Sequence, residues 1–293
     1  MDLNFEDVRK RNLWQTFLVT LLITIVVMAC IPDPLDVDGI PTVKPQIVVS
    51  TQIIPDQSLV VLLTKSFSAL DADSDTDPEV LLGQIAVADA TVTLTGPDST
   101  YELLPVTLGF YGGMIIPFEP GEEYTLHISS PTLGEVHATT VVKPQITFQN
   151  INATLYYNDF ADTMAQITHR IVDPAGKNWY MLNVQEVERV DIVENIINPR
   201  AFTRLLDDVE FENTTYEETF RVFPRDYEPG DTIAVSLSNI SEEYYRFLEL
   251  RQDNRFSLVE FLGEPINYPT NVVGGKGFFN LYIPDIRTFV LEE

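Results

Sequence analysis

The stretch LDADSDTDPE places Asp71, Asp73, Asp75, Asp77 and Glu79 at alternate positions. Carboxylates spaced this way in an irregular loop can converge on a hard cation such as Ca²⁺, which takes about six to eight oxygen ligands. Against the EF-hand pattern, Asp71, Asp73 and Asp75 suit the first, third and fifth loop positions. Thr76 stands where that loop needs glycine, and Leu82 where its bidentate glutamate belongs, so the stretch is not an EF-hand. A solvated acidic insertion is the preferred reading, with calcium at Asp71, Asp73, Asp75 and Asp77 as the alternative and no other cofactor expected. His127 and His137 fall on neighbouring expected strands and can face each other across a hairpin. With no third ligand beside them, and His169 standing apart, ordinary structural roles outweigh zinc coordination.

Acidic pairs such as Asp207-Asp208 and Glu242-Glu243 raise the idea of glycan hydrolysis, but neighbours in sequence seldom reach the separation that chemistry needs. A chain with 44 acidic residues also supplies such pairs by chance. No Gly-x-Ser-x-Gly elbow, HExxH helix, P-loop or Gly-x-Gly-x-x-Gly turn occurs. Within GGKGFF, Gly274, Gly275 and Gly277 read as a turn or bulge that lets the last strand enter its sheet. A non-catalytic protein is the expectation, with a glycan or peptide hydrolase as the weaker alternative. Paired rings at Tyr156-Tyr157, Trp179-Tyr180, Tyr244-Tyr245 and Phe278-Phe279 each suggest one core and one exposed ring, because strand neighbours face opposite ways. Tyr157, Tyr180, Tyr245 and Tyr268 are thus candidates for an aromatic contact patch, set against ordinary sandwich packing.

The sole cysteine, Cys30, closes the one long apolar run, Leu13 to Ala29, which follows the basic triplet Arg9-Lys10-Arg11. The run lacks an amphipathic period and fits a secretory h-region. Its end, Val27-Met28-Ala29-Cys30, resembles the bacterial lipobox, in which the thiol is acylated and the cysteine becomes the new N-terminus. Two acyl chains anchor a soluble body at about 0.8 kcal/mol per buried CH₂. The competing reading is an uncleaved signal-anchor helix. Cleavage would remove Asp2, Glu6 and Asp7 along with the three bases, so the mature chain keeps its net charge of −26. That charge repels phosphate backbones and excludes nucleic acid as a partner. One cysteine also excludes an internal disulfide and thiolate clusters.

The elements that must carry these residues are strands. Residues 1–29 read as signal peptide and 30–42 as an acidic, proline-bearing tether. Short alternating runs such as QIVVSTQI, SLVVLLTKSF, ATVTLTG and EEYTLHISS, spaced by Pro and Gly turns, predict an immunoglobulin- or fibronectin-like β-sandwich over 43–143 with no helix of useful length. Beyond Lys143-Pro144, residues 144–293 predict a second β-rich domain. Its one short helix opens at Ser241, an N-cap followed by Glu242 and Glu243. The fold class is mainly all-β.

The lipobox-like end, the acidic tether, VVLLTKSF, VADATVTL, PGEEYTLHI, the tyrosine-bearing helix and PTNVVGGKGFF occur in an order that resembles the Bacteroidota lipoproteins grouped as domain of unknown function 4249. The resemblance implies an outer-membrane lipoprotein, lipid-anchored through Cys30, often encoded beside a TonB-dependent receptor. It implies no catalytic residues. The leading expectation is therefore an accessory or binding partner of a TonB-dependent transporter, and the alternative a surface structural or adhesive module.

Overall fold

The computed structural model describes residues 44–54, 58–66, 78–158, 163–187, 201–222, 227–254 and 268–292. The first elements in chain order are β1 (Ile47–Ile53), β2 (Ser58–Lys65), α1 (Pro78–Ile85), β3 (Thr91–Thr95) and β4 (Thr100–Leu103). β5 (Pro105–Thr107), β6 (Phe110–Ile115), β7 (Glu123–Ser130) and β8 (Gly134–Val141) follow. The second half holds β9 (Phe148–Tyr157), β10 (Thr163–Val172), β11 (Trp179–Glu186), β12 (Ala201–Asp207), β13 (Thr215–Val222) and β14 (Thr232–Ile240). It ends in α2 (Glu242–Asn254), β15 (Val272–Val273), β16 (Lys276–Phe278) and β17 (Asp285–Val290).

The protein is mainly β, built as two sandwiches. The first packs the sheet β16-β1-β2-β6-β5 against the sheet β15-β8-β7-β3-β4. Alternation decides which side chains meet between them: Tyr124, Leu126 and Ile128 of β7 point inward, as do Ile47 and Val49 of β1. The second sandwich packs β13-β10-β9 against β12-β11-β14-β17 around Tyr180, Leu182, Val184, Ile233, Val235 and Leu237.

Two sequence expectations are corrected here. A helix does lie before residue 143: α1 sets Leu82 in a small apolar cluster with Ile54, Val60 and Phe110, covering part of the outer face of the first sandwich. The glycine-rich segment, expected to lead the last strand into the second domain, instead returns to the first sandwich. β15 joins β8, and β16 pairs in parallel with β1 through Val49 and Gly277. Gly277 has φ +90°, and a Cβ there would lie 2.0 Å from the Val49 carbonyl oxygen, so glycine alone permits this approach. Residues 272–278 therefore cross the boundary drawn at 143/144.

Helix α2 begins as its sequence dictates. Ser241 Oγ accepts from Tyr244 N at 3.2 Å, and Glu242 pairs with Arg246 one turn on. Tyr244 and Phe247 share one face of the helix and meet Phe278 of β16, at ring-centroid distances of 5.4 and 5.2 Å. Met181, Ile240 and Tyr244 thereby join the core of the first sandwich. The apolar contacts run on from one half of the chain into the other.

A polar cleft beside helix α2

Those candidates named from the sequence that lie among the described residues do not assemble into one site. Cys30 and the acids Asp71, Asp73, Asp75 and Asp77 lie outside the described residues. The same holds for the run 13–29, and among the described residues no helix is long and apolar enough to cross a membrane. His127 and His137 do sit opposite each other on β7 and β8, both exposed on the outer face. No group of three or more His, Cys, Asp or Glu side chains suited to a metal occurs among the described residues.

The aromatic patch is corrected by burial. Tyr180 is fully buried and donates a hydrogen bond from its hydroxyl to Asp173, and burial pushes its pKa well up. Tyr157 is exposed at the end of β9, while Tyr245 and Tyr268 are half-buried at other places in the fold. Phe278 and Phe279 are both buried, contrary to one ring in and one out, because β16 is covered on one side by α2. Of the acid pair, Asp208 is buried and accepts from Asn178 N at 2.6 Å, a structural bond at a turn.

Asp173, Asn178 and Asp208 form a closed network. Asn178 Nδ2 donates to the Gly176 carbonyl at 2.7 Å and the Pro174 carbonyl at 3.2 Å, and Asn213 N donates to Asp173 at 2.7 Å. His169, on β10, is a second buried polar group, ringed by Phe148, Tyr216 and Phe220. Glu218 Oε2 lies 3.7 Å from its Nε2, beyond hydrogen-bond reach. Burial lowers its pKa, Glu218 opposes that shift, and Arg204, paired with Glu218, adds to it.

A large recess lies where the outer faces of the two sandwiches approach beneath α2, with a volume of about 460 Å³. That size falls within the roughly 300–1,000 Å³ of small-ligand sites. Its floor is the outward phase of β11, Met181, Asn183 and Gln185, whose intervening residues fill the second core. Ala234 and Ser236 continue the floor on β14, in register with Gln185 and Asn183. Gln52, Val60, Leu62 and Phe110 supply the facing wall, and Tyr244, Leu248, Arg251 and Gln252 of α2 close one side.

Some of these groups are already bound. Thr203 Oγ1 donates to Asn183 Oδ1 at 2.8 Å, and Gln252 Nε2 donates to the Thr203 carbonyl at 3.0 Å. Tyr282 Oη accepts from Ile53 N at 3.3 Å, and burial pushes its pKa up to about 12. No carboxylate, histidine, lysine or cysteine is among the described lining residues. Nothing in the sequence marks this floor: MLNVQ reads as any strand with one wet face, and only the meeting of distant segments makes it a recess.

The family described as Domain of unknown function (DUF4249) matches residues 32–285, most of the chain. The chain belongs to this family. DUF4249 is known from Bacteroidota outer-membrane lipoproteins, which places the protein among outer-membrane-associated proteins. The matched span takes in the first sandwich, the second apart from nearly all of β17, and every described cleft residue except Ile286. No curated protein matches this DUF4249 member. Among solved structures, a two-domain fibronectin type III segment from chicken tenascin is 14% identical and covers 67% of this chain and 90% of its own. Its TM-score is 0.21, too low for a residue-level comparison.

Proposed function

We propose that the chain is a lipid-anchored, non-catalytic β-sandwich module of the outer membrane, serving as a structural or adhesive element held off the bilayer by residues 30–42. One observation carries this reading: the C-terminal segment 272–278 completes the first sandwich, so the two halves are tied by strand pairing instead of a linker. A body tied in this way transmits position and load, as a spacer must.

The anchor is tested by mass analysis of the mature protein and by Cys30→Ser. The expected mature N-terminus is an acylated Cys30, and C30S is expected to move from the detergent phase to the aqueous phase. An intact initiator methionine would overturn the anchor. Surface proteolysis of intact cells, with adhesion assays on a deletion strain, tests the role. Unchanged adhesion despite surface exposure would remove the adhesive version.

Partnership with a TonB-dependent transporter is the second reading, supported by the family's lipoprotein character. Co-purification from detergent-solubilised outer membrane is expected to recover a β-barrel partner, and recovery of the lipoprotein alone would remove this reading.

A further inference from the structure

The cleft beneath α2 holds polar groups that the fold leaves unused. Gln185 is only 8% exposed, yet its side-chain amide has no hydrogen-bond partner among the described residues. Its side chain lines the cleft, so a ligand placed there can exchange hydrogen bonds with it in place of water. The Tyr244 hydroxyl, also 8% exposed, has no partner there either, and burial raises its pKa, so it stays a proton donor at neutral pH. Ser236 and Gln52 add a hydroxyl and an amide with no described partner. Arg251 lies over Phe247, 5.6 Å from its centroid, and has no carboxylate partner among the described residues. In a chain with 44 acids and 18 bases, an arginine with no carboxylate partner among the described residues, at the lip of a recess whose described lining holds no acid, is unusual.

The lining discriminates between ligand classes. Sugars are commonly held against exposed aromatic faces, whereas Phe110, Tyr244 and Tyr282 are each at most 8% exposed, with their rings packed away. The open apolar surface comes instead from Leu62, Leu248 and Ile286, all half-buried aliphatic residues. Aliphatic walls suit aliphatic side chains. Side-chain amides both donate and accept, which matches the paired donor and acceptor of a peptide group. A guanidinium without a partner matches a carboxylate.

We propose that this cleft binds a short peptide with a free carboxyl end: Gln185 and Gln52 pair with its amides, Leu62, Leu248 and Ile286 hold an apolar side chain, and Arg251 receives the carboxylate. The site does not depend on how the chain is anchored, so its failure would leave the surface-module reading standing. Gln185, on the shielded floor of the cleft, contributes most of the hydrogen bonding, and the exposed arginine adds selectivity.

The test uses the purified mature protein and two tripeptide pools rich in Leu, Val and Ala, one with free carboxyl ends and one amidated. Saturation-transfer NMR detects binding, and titration calorimetry measures affinity for the strongest free-acid peptide. Gln185→Leu is expected to weaken binding about tenfold, the equivalent of one hydrogen bond of about 1.4 kcal/mol. Its thermal midpoint is expected to stay about equal, because the amide bonds no described residue and leucine keeps most of the side-chain bulk. Arg251→Gln, at an exposed position that should not disturb folding, is expected to erase the preference for free acid over amide. No transfer from either pool, or affinities unchanged in both variants, would overturn the site. Transfer to maltotriose in place of peptide would overturn the ligand class.

Discussion

His169 shows how one side chain can set a pH dependence. It sits on β10 among Phe148, Tyr216 and Phe220, with Glu218 and Tyr216 from β13 and Arg204 from β12 as the titratable or charged groups around it. Burial holds its folded pKa below the ordinary value of about 6.5. As pH falls through about 6.5, the unfolded chain takes up a proton that the folded state resists, so protonation favours unfolding. The stability present above that pH is lost as pH falls toward the folded value. Urea midpoints at pH 7.5 and 5.5 are expected to differ in the wild type and to differ less in His169→Phe; an unchanged difference would remove the assignment. Most carboxylates titrate below this window. Tyr180→Phe is a separate case. It deprives Asp173, 2% exposed, of its hydroxyl donor, and the loss expected from urea unfolding is about 1–3 kcal/mol. The sequence presents three histidines on equal terms, and only packing separates His169, buried, from His127 and His137 on the wet face.

At the scale of elements, most of what forms is local, and most of what it joins is not. β7 shows its inward set as Tyr124, Leu126 and Ile128, and α2 announces itself by Ser241 and two glutamates. These signals need only neighbouring residues. The pairing of β16 with β1 needs Gly277, and Gly277→Ala tests it. Gly121 is a matched control, with φ +88° and nothing within 4 Å of a built Cβ. Both substitutions are expected to lose about 1 kcal/mol of backbone compatibility. Gly277→Ala is expected to lose clearly more, because its Cβ meets the Val49 backbone, whereas equal losses would mean that the close approach does not constrain the strand. α1 was missed because PEVLLGQI follows an acidic run and is only eight residues long, and its place depends on the outer face of β2 and β6 that Leu82 covers.

For the whole molecule, the return of residues 272–278 means that the first half does not carry all its own strands. A fragment of residues 44–143 lacks β15 and β16, leaving β8 and β1 with open hydrogen-bonding edges and the Phe278 position empty. That fragment is expected to aggregate or remain unfolded by circular dichroism and size exclusion. The full chain is expected to unfold with coincident transitions in circular dichroism and tyrosine fluorescence. A folded, monomeric fragment would show that the first sandwich does not need its late strands. The amino-acid order was enough to establish a mainly β chain, its turns, the capped helix and a strongly acidic total charge, because periodicity, caps and net charge are properties of neighbours or of totals. Which sheet receives the glycine-rich strands, which tyrosine faces inward, and which residues surround the cleft were set by long-range packing. An alternating strand reveals that it has an inside face, but shape complementarity between distant segments chooses what that face meets.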